Sequence, residues 1–236
     1  MTPNKNSRAP VKRKSNKTLL LAIGIIAIVL IGIGAYAMLG QSANQPANAT
    51  PSPTPTPAPT ASTSPSATPF DPHYANPTKV LLHTSVGNIT LELRTDKPTT
   101  TTNFINIVNH GWYDGTTFHR VLATFMIQGG QISQSVPTIA DEIGSDNHNT
   151  KYTIAMAKTS QPNSATSEFF INTVDNSQIV YQDGSTFDGT YTVFGRVVEG
   201  QNIVDAIANA QVTTNPYGEP SKPVHPVSVI KASIIP

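Results

Sequence analysis

Cysteine is absent from all 236 residues. That excludes disulfides, thiolate metal sites, a cysteine nucleophile and a lipid anchor on cysteine. Charge is missing over a long stretch as well, since none occurs between Lys17 and Asp71. No acidic residue precedes Asp71, whereas six basic ones (Lys5, Arg8, Lys12, Arg13, Lys14, Lys17) crowd the first seventeen positions. The other nine basic and all fourteen acidic residues follow, so the tail is +6 and the remainder −5 within a net charge of +1. The remainder lacks the clustered Lys and Arg that phosphate contacts need, which disfavours nucleic acid as a partner. Also absent are a G-x-S-x-G elbow and a P-loop, and the six histidines show neither H-x-H nor H-E-x-x-H spacing. No serine hydrolase, metal site or cofactor is therefore expected.

What is present divides the chain into segments. Residues 18–40, TLLLAIGIIAIVLIGIGAYAMLG, are uncharged and dominated by Leu, Ile, Val and Ala. A bilayer core about 30 Å thick needs roughly 20 helical residues, so the run reads as a transmembrane helix. A cleavable signal peptide is the alternative: its apolar region usually spans only about 7–15 residues, but Ala35-Tyr36-Ala37 has the small-x-small form of a cleavage site. The positive-inside rule then makes residues 1–17 a cytoplasmic tail and puts everything after Gly40 outside. Residues 41–69 contain eight Pro, eleven Ser or Thr and six Ala. Such a composition cannot offset the entropy of ordering, so a disordered linker with polyproline II bias is expected. Residues 70–236 have the size of one domain.

Within that domain, short β-like runs dominate. Lys79–Ser85 and Asn88–Arg94 flank Val86-Gly87 as a hairpin. Further strands are expected over 117–122, 125–128, 152–157, 168–172, 191–198 and 227–234. A helix follows Pro98 over 99–109, with Phe104, Ile105 and Val108 on one face, and a second covers 200–210, with Ile203, Ile207 and Ala210. About eight strands and two helices predict a mainly β fold: a closed eight-stranded antiparallel β-barrel capped by two α-helices.

The segment Tyr113-Asp-Gly-Thr-Thr-Phe-His-Arg-Val-Leu-Ala-Thr-Phe-Met-Ile-Gln-Gly-Gly130 is followed by Thr153-Ile-Ala-Met-Ala157, Ser167-Glu-Phe-Phe-Ile-Asn172 and Phe187-Asp-Gly-Thr-Tyr-Thr-Val-Phe-Gly-Arg196. In this order and spacing the four segments resemble the cyclophilin family of peptidyl-prolyl cis-trans isomerases, bacterial members in particular. F-H-R-V followed by F-M-I-Q-G-G carries most of that resemblance, which spans residues 78–235. It implies an eight-stranded barrel with two helices, in agreement with the strand count, and catalysis of X-Pro bond rotation without cofactor or metal. It places the catalytic guanidinium on Arg120, with Gln128 orienting it. It assigns the apolar proline slot to Phe125, Met126, Phe170 and Phe187. Ala157 and Lys158 fall on a strand that meets the substrate through main-chain groups. Of the consecutive pair Phe169 and Phe170, one faces the core and the other the groove, and the family assigns the groove to Phe170. Glu168 stands where the family usually has Gln, and is expected to contact substrate or to pair with Arg120 or Lys158. Tyr191 stands where many members carry His.

The whole then reads as a single-pass membrane protein, expected to be a monomer, whose isomerase domain acts outside the cytoplasm on proline-containing exported or surface polypeptides and assists their folding. An inactive proline-binding chaperone or adhesion module is the alternative.

Overall fold

The computed structural model describes residues 72–236. The tail at 1–17, the transmembrane helix at 18–40, the linker at 41–69 and the domain boundary at 70 lie outside the described residues. Among the described residues, no helix is long and apolar enough to cross a membrane.

After a 3-10 turn at Pro72–Tyr74 come β1 (Lys79–Thr84), β2 (Gly87–Leu93), α1 (Pro98–Asn109), β3 (Arg120–Leu122), β4 (Met126–Gly129), β5 (Thr153–Met156), β6 (Phe169–Asn172), β7 (Val193–Glu199), α2 (Gln201–Ala208), β8 (Val212–Thr214), β9 (Pro220–Pro223) and β10 (Val229–Ile235). Eight strands form one antiparallel sheet in the order β10-β1-β2-β7-β5-β6-β4-β3, and β8 pairs with β9 apart from it. The strand number, the antiparallel pairing and the two helices match the sequence reading. Closure into a barrel is partial. The border strands β3 and β10 do not form a ladder with each other. Instead the segment ahead of β3 meets the head of β10 through one isolated bridge, Thr117 with Ser228, and hydrogen bonds such as Gly115 N–H to Val229 O (2.7 Å) and Phe118 N–H to Val227 O (2.9 Å). The sheet is curled, and its two edges are joined by loop segments rather than by paired strands.

Strand alternation divides the sheet into two faces. The aligned row Val121, Ile127, Ile171 and Ile154 on β3, β4, β6 and β5 enters the main core, joined by Leu82 and Ile89 on β1 and β2. Each such fully buried side chain contributes about 1.5–3 kcal/mol relative to exposure. The neighbouring row, one residue along each strand, faces the other way and builds the site described below.

Both helices pack on this core through faces slightly rotated from those read in the sequence. In α1 the buried positions are Thr100, Phe104, Ile107 and Val108, with Ile105 only half-buried. In α2 they are Val204, Ile207 and Ala208. The rings of Tyr113, Phe169 and Phe194 surround Phe104 at centroid distances of 5.1, 5.6 and 5.1 Å. Pro98 opens α1 without a side-chain cap from Lys97, and the carboxylate of Glu142 takes that role, accepting Thr99 N–H (3.1 Å) and Thr100 N–H (2.8 Å). Gly130, which follows β4, has φ +78°, and a Cβ there would stand 2.7 Å from the Phe169 ring. The Gly129-Gly130 pair is thus explained by backbone geometry and close packing.

An ion-pair cluster fastens the 3-10 turn to the sheet. Arg94, 5% exposed, donates to both oxygens of Asp96 (2.9 and 2.6 Å) and to the Asp146 carboxylate. Burial acts to raise the Asp96 pKa, but the hydrogen bonds and charge of Arg94 outweigh it and bring the value to about 2, below its ordinary 3.8. A carboxyl whose pKa falls on folding stabilises the fold above its unfolded pKa, and that contribution is lost as pH drops through the folded value. Acid titration is expected to lower the unfolding midpoint between about pH 4 and pH 2, with Asp96→Asn showing a shallower decline. Thermal melts across that range check this, and parallel curves for the two proteins would contradict it.

Candidate active site

The second face of the sheet carries a continuous row. Arg120 on β3 lies opposite Gln128 on β4, Gln128 opposite Phe170 on β6, Phe170 opposite Ala155 on β5, and Ala155 opposite Val193 on β7. A polar pair thus continues into an apolar patch. Met126, Ala155, Phe170, Phe187 and Val193 form a second buried cluster, separate from the main core, with Phe125 and Tyr191 packed against it. The Phe187 ring lies 5.4, 5.7 and 4.7 Å from those of Phe125, Phe170 and Tyr191. A cavity of about 810 Å³ opens here, lined by Arg120, Phe125, Met126, Gln128, Ala157, Lys158, Phe170, Phe187 and Tyr191 among others. Phe169 points into the main core and Phe170 into the groove.

Of the residues singled out in the sequence, the structure gathers all but Glu168 around this one cavity. Glu168 stands behind Gln128, accepting its Nε2–H (2.8 Å), and lies 3.4 Å from His119 Nε2. It pairs with neither Arg120 nor Lys158. Burial pushes the Glu168 carboxyl up, but its bonds from His119 and Gln128 pull it below the ordinary value. Lys158 instead donates to Asp141 (2.7 Å), and the Ala157 N–H is engaged by Glu168 O (2.9 Å). Burial raises the Tyr191 hydroxyl above its ordinary pKa, so it is a neutral wall of the groove.

The Arg120 side chain is 14% exposed, and its guanidinium carbon lies 5.9 Å from the Phe125 ring centroid. Its Nε and Nη2 donate to the two carboxylate oxygens of Glu219 (2.7 and 2.6 Å), and Nη1 faces Gln128 Oε1 at 3.5 Å. Glu219 is 3% exposed. It was not foreseen in the sequence, where it sits in a proline-rich turn 99 residues from its partner. Also unforeseen is a chain of amides that fixes two walls of the groove. Asn147 Nδ2 donates to Asp188 O (2.6 Å) and Tyr191 O (2.9 Å), and Asn149 N–H donates to the Asp188 carboxylate (2.7 Å). Asn172 bonds Asn149 (3.2 Å), Asn176 bonds Asn172 (2.7 Å), and Asn176 ends on Phe125 O (2.8 Å). The loops bearing Tyr191 and Phe125 are therefore tied through the protein interior.

Away from the groove, His73, Asp96 and Asp146 lie close enough to share a cation. The two carboxylates are already neutralised by Arg94, with Lys97 Nζ 3.8 Å from each, so the cluster is an ion-pair network.

A curled antiparallel sheet with two helices, bearing an arginine at the edge of an apolar groove on its outer face, is the architecture implied by the resemblance to proline isomerases. Residues 79–234 match the family described as cyclophilin type peptidyl-prolyl cis-trans isomerase/CLD. The chain belongs to that family and is a peptidyl-prolyl cis-trans isomerase (EC 5.2.1.8). It is 43% identical over 163 residues to the isomerase cyp18 of Streptomyces antibioticus, covering 66% of this chain and 98% of that one. Isomerase A of Dickeya dadantii is 43% identical over 170 residues, with 67% and 88% covered. Among solved structures, a cyclophilin type isomerase of Cryptosporidium parvum shares the fold, with a TM-score of 0.55 and 22% identity over 67% of this chain and 98% of that one. The same protein has been crystallised in the presence of the dipeptide Ala-Pro.

Proposed function

We propose that the groove binds an X-Pro segment of an exported or surface polypeptide and that Arg120 lowers the barrier to rotation, with the domain held outside the cytoplasm by a membrane anchor at residues 18–40. The observation that carries the catalytic part is the Arg120–Gln128–Phe170 row, in which a fixed cation and an apolar slot lie side by side. The X-Pro bond resists rotation by about 18–20 kcal/mol because the nitrogen lone pair is delocalised into the carbonyl. When the bond twists, that lone pair localises and accepts a hydrogen bond. A guanidinium donating to the proline nitrogen therefore binds the twisted state better than either planar one, which is what catalysis requires. Met126, Phe170 and Phe187 hold the proline ring while Gln128 Oε1 steadies the guanidinium. No bond is broken, and no proton leaves the enzyme.

The anchor rests on the uncharged run at 18–40 and the six basic residues before it. Two measurements test the reading. Exchange NMR on an Ala-Pro peptide should show accelerated cis-trans interconversion; binding without acceleration would reduce the site to a proline-binding module. Protease added to intact spheroplasts should remove a C-terminal epitope, and its survival there would overturn the extracytoplasmic placement.

A further inference from the structure

The buried carboxylate of Glu219 is not used by the mechanism above, yet it holds two of the three nitrogens of the catalytic guanidinium. We infer that Glu219 is a positioning residue, which selects the nitrogen of Arg120 that meets the proline. This rests on the role proposed for Arg120.

The geometry is that of a fork held by its back. Nε and Nη2 both donate to Glu219, at 2.7 and 2.6 Å, in the bidentate arrangement that fits a planar guanidinium to a carboxylate. Only Nη1 is left loosely held, 3.5 Å from Gln128 Oε1. The direction of the Gln128 amide is itself imposed. Its Nε2 donates to Glu168 (2.8 Å), and an ionised carboxylate only accepts, so the Gln128 oxygen must face Arg120. Two carboxylates, one on either side, thus fix the guanidinium plane and the amide plane together. Nη1, the nitrogen that makes no bond to Glu219, is the one most free to turn to a peptide in the groove that Arg120 lines.

The support for Glu219 is built into the fold. Glu219 immediately precedes β9, which lies against β3, the strand that Arg120 begins. Its turn is held by Asn215 Oδ1, which accepts the N–H groups of Tyr217 (2.9 Å) and Glu219 (3.1 Å), and by Gly218 at φ +88°. Burial pushes the Glu219 carboxyl up, but the bonds from Arg120 and Ser221 more than offset this, so it stays ionised. An arginine side chain that must be ordered for each turnover gives up rotamer freedom each time. Glu219 removes that loss from the reaction by ordering the side chain beforehand.

A double-mutant cycle on the full-length chain tests this, with kcat and KM for an Ala-Pro peptide and the melting temperature measured for each variant. Glu219→Gln keeps the size and loses the charge; it should lower kcat about tenfold or more with KM nearly unchanged, as expected for a misdirected catalytic group. Glu219→Asp keeps the charge but cannot reach both nitrogens, and should lower kcat in the same way even if the Gln variant folds poorly. In an Arg120→Ala background, Glu219→Gln should change kcat by less than about twofold, because there is nothing left to position. Full kcat in both Glu219 variants, or an undiminished effect of Glu219→Gln in the Arg120→Ala background, overturns the inference alone. An unchanged rate for Arg120→Ala overturns the proposed mechanism instead.

Discussion

Arg120→Ala is expected to lower kcat/KM for an X-Pro peptide by about 10²–10³-fold, the usual effect of removing one preorganised donor from a transition state. Among the described residues that line the groove, the only other Lys or Arg is Lys158, which is bound to Asp141 (2.7 Å). Truncation also has a structural consequence that must be kept apart from the catalytic one. It strands the Glu219 carboxylate, 3% exposed, without its partner, and breaking a buried pair in this way costs about 3–5 kcal/mol. The informative comparison is therefore Arg120→Ala beside Arg120→Ala/Glu219→Gln, in which no buried charge is stranded. Both should be equally slow, while the double variant melts at the higher temperature. A protease-coupled assay and a thermal melt supply the two readings. Wild-type rates in the double variant would remove the guanidinium from the mechanism.

The largest loss of stability is expected from Phe104→Ala. Phe104 is fully buried and touches three aromatic rings that come from the α1–β3 connection, β6 and β7. Replacing it removes apolar burial and leaves a cavity that a surrounding sheet cannot readily collapse. Such changes cost about 3–5 kcal/mol, which in a domain of this size lowers the melting temperature by roughly 6–20 °C. None of its ring contacts belongs to the groove, so the rate measured well below the melting point should remain near that of the wild type. Urea unfolding checks the first part, and a loss under about 1 kcal/mol would show that the site repacks.

These two residues also show what was legible in the sequence. The core was readable because alternation within strands is local: Val121, Ile127, Ile154 and Ile171 each sit one residue from a groove or border position. The groove residues were readable through the wording of the four family-like segments, F-H-R-V and F-M-I-Q-G-G above all, and the structure gathers them around one cavity. The β8–β9 hairpin was not foreseen, because Pro216, Pro220 and Pro223 signal a loop; β9 begins and ends in proline, which a strand tolerates only when it lies outside a central ladder. Glu219 was hidden for the same reason. Its role depends on a contact across 99 residues that neither period nor spacing encodes. The faces of α1 and α2 were misjudged by about one position, since burial is decided by the angle at which each helix crosses the sheet. Glu168 was expected to contact substrate or to pair with Arg120 or Lys158, but it stands outside the cavity lining on Gln128 and His119, and Asp141 engages the lysine.

The two-faced register of β4 and β6 bears on how such a protein can diverge. Successive codons there encode Ile127 for the interior and Gln128 for the groove, then Phe170 for the groove and Ile171 for the interior. A point change in one set leaves the other set's contacts in place. Lineages can therefore alter which peptides they accept while inheriting an unaltered scaffold, and a library confined to the groove codons should return folded members at high frequency.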